Sequence, residues 1–339
     1  MSLSVLKPGL LSTFQDAGRH GHQHLGIPVS GAMDWRAHAL ANLLAGNDTR
    51  PATLEITLAG PVLRFEAPTC FALAGADLSA TLDGEPLAWS RPQWARAGQV
   101  LAFGAPRHGA RTYLAVHGGF ALTPVMGSCS TYVRSALGGW QGRALRAGDR
   151  IGLARALPPH VDGLQALLDN LRIYLPAALG DPARARLRVL PGAHWDAFST
   201  VSQQTLLEAE FRISAQADRM GYRLQGPMLA LSSPRQFLSE AVSFGTVQVP
   251  PGGEAIVLMA DRQTTGGYPK LAQVASIDLP ALAQRLPGAT LRFSLIDLET
   301  AQRLDQARHA ALMTLHDALQ PLRACLHAAR RPLPEENTP

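Results

Sequence analysis

The chain has 339 residues, 46% of them apolar, and carries a formal net charge of +5. That length and apolar share suffice for two folded domains of the usual roughly 100 to 200 residues each and exclude a disordered chain. No apolar run approaches the roughly 18 residues of a membrane helix, no basic start leads into an apolar stretch, and no basic run reaches five, so a cytoplasmic location with neither membrane nor nucleic acid as partner is expected.

In chain order, the first predicted helix spans Asp34 to Ala45, with Asp34 as its cap. Turn-bounded runs rich in β-branched and aromatic residues then predict strands at Thr53 to Leu58, Val62 to Phe65, Val100 to Phe103 and Thr112 to Val116. A helical stretch near Val161 to Leu171 precedes Pro176 to Pro182, the most turn-rich segment of the middle and the expected domain boundary. Beyond it lie strands at Leu187 to Leu190, Thr246 to Val249 and Ala255 to Met259, and a helix at Asp278 to Leu286 with Asp278 as cap. A long helix runs from about Leu298 to Arg330; its leucines 312, 315, 319, 322 and 326 form one stripe, interrupted by Pro321, that packs either on its own chain or on another subunit.

The expected class is therefore mainly β with accessory helices, built as β-barrels. The expected domains are 1–180 and 181–298, followed by a helical extension, 299–330, and a disordered tail, 331–339. Two internal echoes suggest a permuted duplication. Ser30 and Asp34 before L-A-G-P-V-L match Ser214 and Asp218 before L-Q-G-P-M-L, and Asp16, Gly21 and Pro28 match Asp261, Gly266 and Pro269.

Three cysteines, Cys70, Cys129 and Cys325, stand far apart with no C-x-x-C pairing, so neither a disulfide framework nor a thiolate zinc site is expected. Lys7 and Lys270 are the only lysines among 31 basic residues, which singles out Lys270 as a place where a compact, titratable ammonium is wanted. Lys270 closes the densest polar segment of the chain, A-D-R-Q-T-T-G-G-Y-P-K, directly after the apolar strand A-I-V-L-M. There Asp261 is a candidate base, Arg262 a fork for a carboxylate or phosphate, and Gln263, Thr264 and Thr265 neutral donors and acceptors. Gly266 and Gly267 let backbone N–H groups approach an anion, and Tyr268 supplies a ring wall. The bland alternative is a polar hairpin turn.

Gln15 to Asp34 repeats this mixture, with Asp16 and Arg19 as candidate ligand contacts, and the two loops are expected to border one cleft. His20, His22 and His24 would share one face of an extended strand, but a glycine-rich loop does not stay extended, and surface histidines are favoured over a metal site. Ser128 and Thr131, in G-S-C-S-T-Y-V-R, suit either an oxyanion contact or an ST-turn. Asp218 and Arg219, in A-D-R-M-G-Y-R-L-Q-G-P, suit either substrate binding or a structural ion pair.

Together, Q-D-A-G-R-H-G…G-I-P-V-S-G-A-M-D, Y-L-A-V-H-G-G-F, A-D-R-M-G-Y-R-L-Q-G-P, F-G-T-V-Q-V-P-P-G-G and A-D-R-Q-T-T-G-G-Y-P-K resemble the allophanate hydrolase subunit 2 family, from about Leu6 to Phe293. That family includes the C subunit of bacterial ATP-dependent 5-oxoprolinase and the carboxyltransferase domain of urea carboxylase. The resemblance implies two cyclophilin-like barrels, a cytoplasmic location and an allophanate hydrolase subunit 1 type partner, with a further oxoprolinase subunit also in view. The leading implied activity is opening of 5-oxoproline to glutamate with ATP bound alongside partner subunits, where Arg262 and Lys270 neutralise developing charge and Asp261 directs water. The alternatives are carboxyl transfer to urea or a related small amide from carboxybiotin carried on another protein, and a non-catalytic regulatory subunit.

Overall fold

The computed structural model describes residues 1–329, so the predicted tail and the last residue of the helical extension lie outside the described residues. The architecture is mainly β with accessory helices, as expected. In the N-terminal half a six-stranded sheet runs in the order Arg150–Gly152, Ser2–Lys7, Val62–Phe65, Val100–Ala102, Thr81–Leu82 and Glu85–Pro86. A five-stranded sheet runs Leu11–Gln15, Thr53–Thr57, His108–Val116, Thr69–Asp77 and Pro92–Ala95.

The strand Thr69–Asp77 shows why this half layers as it does. Successive side chains alternate between faces. Phe71 and Leu73 join Leu3, Val5, Phe14, Leu63 and Phe65 in the core contributed by both sheets. Cys70, Ala72 and Ala74 face the other way and, being small, let the helix Trp35–Leu44 pack close through Leu40, Leu43 and Leu44. The same layer takes Leu315, Leu319, Leu322 and Leu326 of the terminal helices. At roughly 1.5–3 kcal/mol for each fully buried leucine, this docks the stripe on its own chain.

The C-terminal half closes as a seven-stranded barrel in the order Arg186–Pro191, Lys270–Val274, Thr246–Gln248, Ile256–Leu258, Gly221–Gln225, Phe211–Ile213 and Thr290–Leu295. The seam is the parallel pairing of Arg186–Val189 with Arg292–Leu295. Inside lie Leu187, Val189, Phe211, Tyr222, Val247, Val257, Leu271 and Phe293, joined by Met33 from the other half.

Two expectations are corrected. Asp34 caps its helix, accepting from the Ala37 N–H at 2.9 Å, but Asp278 makes no cap bond. Its carboxylate is taken by Arg188, whose backbone N–H and Nε lie 2.8 and 2.9 Å away. The long terminal helix is two, Leu298–Ala318 and Gln320–Ala328, because Pro321 lacks a donor and is tolerated only in a first turn.

Candidate functional site

The strand Thr53–Thr57 places one acid, Glu55, fully inside the molecule, where an unpaired carboxylate would be prohibitively costly. Arg219 crosses from the other half to meet it. Its Nη1 donates to Glu55, its Nη2 to the Gly31 carbonyl at 2.7 Å, and its Nε and Nη2 to the two Asp261 oxygens at 2.8 and 3.0 Å. Glu55 also accepts from the Tyr113 hydroxyl at 2.7 Å and the Met33 N–H at 2.9 Å. Burial pushes the Glu55 pKa up, but the Arg219 and Arg111 guanidiniums with these two bonds pull it below the usual glutamate value. Burial alone would lower Arg219, yet attraction to Asp261 and Glu55 raises it overall.

The seam between the halves is bonded further by Gln284. Its oxygen accepts from Ala110 and Arg111 N–H groups, each at 3.0 Å, and its nitrogen reaches buried Asp34 at 2.7 Å. Arg111 donates to the Tyr222 hydroxyl at 2.7 Å. Arg219 is therefore a tie between the halves, and Asp261, in the same half as Arg219, braces its guanidinium. Both are buried, and neither lines a cleft described below.

Asp16, Arg19, Ser128 and Thr131 do come together, but as scaffold. Asp16 accepts from the Ser128 and Ser130 hydroxyls at 2.7 and 2.5 Å, and from the Gly18 and Cys129 N–H groups at 2.9 and 2.6 Å. Burial raises its pKa, and these bonds outweigh that, holding it below the usual aspartate value. Arg19 is fully buried and donates to the Val125 and Ser130 carbonyls, both at 2.9 Å; Thr131 donates to the Phe14 carbonyl at 3.0 Å. Through these bonds the four residues support the loop. The His20–His24 segment bends into a short 3-10 turn at Gln23–Leu25 rather than an extended strand.

The two predicted loops meet directly: Gln23 Nε2 donates to the Thr264 carbonyl at 2.7 Å. Gln263 and Tyr268, with Asp218, line a polar cleft of about 420 Å³ on the outer face of the barrel. Gln216, Gln248 and Arg223 also line it, and Arg134 reaches in from the N-terminal half, 3.8 Å from Asp218. Outward placement of Arg223 follows from strand alternation, since its neighbours Tyr222 and Leu224 point into the barrel. Tyr268 and Gly267 also line a second, apolar cleft of about 540 Å³. Thr265 and Gly266 instead pair with Glu240–Ala241 as a two-stranded ribbon.

Lys270 anchors that ribbon. Its Nζ bonds Glu240 at 2.7 Å and the Ala241 carbonyl at 2.9 Å. Its hydrogen bond and charge depress the Glu240 pKa. The Lys270 N–H donates to His194 Nδ1 at 3.0 Å, which leaves the proton of the neutral ring on Nε2. Arg262 is half-buried with Nε on the Val242 carbonyl at 3.2 Å, and desolvation lowers its pKa to about 10, partly offset by Asp261.

The model of the carboxyltransferase domain, subdomain A and B, matches residues 25–295. This chain belongs to that carboxyltransferase domain family. It is 41% identical to the C subunit of 5-oxoprolinase from Escherichia coli K12 over 91% of this chain and 96% of the relative, and 28% identical to urea amidolyase of Saccharomyces cerevisiae over 93% of this chain but 18% of that relative. The solved structure of Kluyveromyces lactis urea amidolyase superposes with a TM-score of 0.84 at 28% identity, covering 93% of this chain and 20% of that one. That of TTHA0988 gives 0.73 at 36% identity, covering 86% and 55%. As a carboxyltransferase-family fold, then, the chain carries two clefts flanking one loop.

Sequence reasoning missed Glu55, Arg111, Gln284 and the cleft residues Arg134, Gln216, Arg223 and Gln248. Glu55 had left a signal: a lone acid within T-L-E-I-T, a strand otherwise fit for burial, requires a cationic partner.

Proposed function

We propose that the chain is the substrate-holding subunit of an ATP-dependent 5-oxoprolinase, and that the lactam sits in the polar cleft between Arg134 and Tyr268. The observation that carries this reading is the lining: the exposed carboxamides of Gln216 and Gln263, with buried Gln248 behind them, beside Arg223, which has no ion-pair partner among the described residues. 5-Oxoproline presents one amide N–H, one carbonyl oxygen and one carboxylate. A glutamine side chain offers the donor and acceptor that complement a lactam edge, and a guanidinium matches the carboxylate. Tyr268 supplies a ring wall, and the relatives named as the C subunit of 5-oxoprolinase support the substrate.

ATP would make the lactam carbon electrophilic by phosphorylating its oxygen. One unpaired guanidinium suits a single carboxylate better than three phosphates, and no α-helix start lines the cleft among the described residues. ATP is accordingly assigned to companion subunits, and the role of this chain is to bind and orient the lactam. The same carboxamides suit urea, and the likeness to urea amidolyase favours a second reading as acceptor site for carboxyl transfer. Carboxybiotin would then arrive on another protein.

The test is ATP-dependent glutamate release from 5-oxoproline by this chain with its companion subunits. Arg223→Met is expected to raise the KM for 5-oxoproline more than tenfold with an unchanged melting temperature. Absence of release from the complete set refutes the reading, and carboxyl transfer to urea in its place establishes the second.

A further inference from the structure

The apolar cleft lies outside the chemistry just described. It is walled by Phe198, Leu231, Phe237, Pro250, Pro251 and Tyr268, and Arg235 is its one charged lining residue. Arg235 sits over the Phe237 ring at 4.8 Å and has no acidic partner among the described residues. The strap carrying both is held by the Phe237–His194 ring contact at 4.3 Å and by Lys270 bonding Glu240.

A small ligand could fill the cleft but would not account for its rim. Met228 and Leu238 directly flank lining stretches in the chain, with relative exposures of 63% and 87%, and Val201, three residues beyond Phe198, is 71% exposed. Only a polypeptide surface would cover cleft and rim together, and exposed apolar surface of this kind marks protein contacts. The larger relatives supply a second argument. The match covers 20% of the urea amidolyase chain and 55% of TTHA0988, so in those proteins this fold is tied covalently to much more polypeptide. An equivalent polypeptide carried on a different chain would reach this fold only through its surface.

We infer that the Phe198–Phe237–Tyr268 cleft is the docking site for a companion protein subunit that inserts an aromatic or aliphatic side chain flanked by a carboxylate. The anchor fills the apolar walls, the carboxylate meets Arg235, and an acidic face complements the +5 charge of this chain. Because Tyr268 also lines the polar cleft, docking there would set one wall of the lactam site. The inference rests on the multi-subunit reading above.

The experiment titrates the purified companion subunits from the same source against this chain by calorimetry, with amide exchange followed over residues 228–238. Arg235→Glu and Leu238→Asp, both at exposed positions, are each expected to weaken association at least tenfold with an unchanged melting temperature. Tyr174→Asp, a substitution at an 83% exposed residue of the other half, is expected to leave it unchanged. Docking is expected to protect residues 228–238. A complex of unaltered affinity in both variants overturns the docking site while leaving the subunit reading intact. Failure of the wild-type chain to associate with any companion overturns both.

Discussion

Replacing Arg219 by Met should separate the two halves energetically. The guanidinium is buried and touches Glu55, Asp261 and the Gly31 carbonyl, so its removal leaves two buried carboxylates facing each other across the seam. Breaking a buried ion pair by deleting one partner costs about 3–5 kcal/mol. Tyr113 and Met33 still bond Glu55, and Arg111 is 3.9 Å away, which places the expected loss at about 3 kcal/mol. The sign with pH follows from Glu55. Its folded pKa is depressed, so its stabilisation is present above the ordinary glutamate value and fades as pH falls through the lower folded value. Without Arg219 the folded pKa rises above the unfolded one, the variant gains stability on moving from pH 7 to pH 5, and the gap to wild type narrows. Urea unfolding followed by tryptophan fluorescence at both pH values measures this. A loss below about 1 kcal/mol at pH 7, the range of an exposed ion pair, or a gap that widens on acidification, refutes the reasoning.

Asp16→Asn turns one acceptor oxygen of the loop scaffold into a donor facing hydroxyl or N–H groups, with an expected cost of about 1.5–3 kcal/mol in thermal or urea unfolding at pH 7. Since the folded Asp16 pKa is lowered, that cost should shrink as pH falls through and below the ordinary aspartate range; a constant difference down to pH 3 would count against it. Lys270→Met releases Glu240 and the Ala241 carbonyl, so amide exchange over 239–242 should accelerate while the barrel core stays protected, and unchanged exchange there would remove Lys270 as the anchor of the strap.

Much of the fold is legible in the sequence because strands and helices leave local periodic signals. Val62–Phe65 matches expectation to the residue, and Thr53–Thr57 ends one residue short of it, where Leu58 turns to φ +60°. The Asp34 cap is legible because a side-chain oxygen three residues before an N–H is a local relation. Asp278 has the same local credentials and fails, because Arg188, ninety positions away, competes with a guanidinium against a neutral N–H.

The amino-acid sequence by itself determined the class, seven of the strands, the carboxyltransferase family and the loop that the two clefts flank. Only the tertiary structure decided what each polar residue of that loop does. Asp261 became the brace of Arg219, Lys270 a strap anchor and Tyr268 the shared wall of both clefts. The physical reason is that the role of a charged side chain is set by which opposite charge closes on it at under about 4 Å and by whether water reaches it. Glu55, Arg219 and Glu240 take those places only once distant strands are brought together.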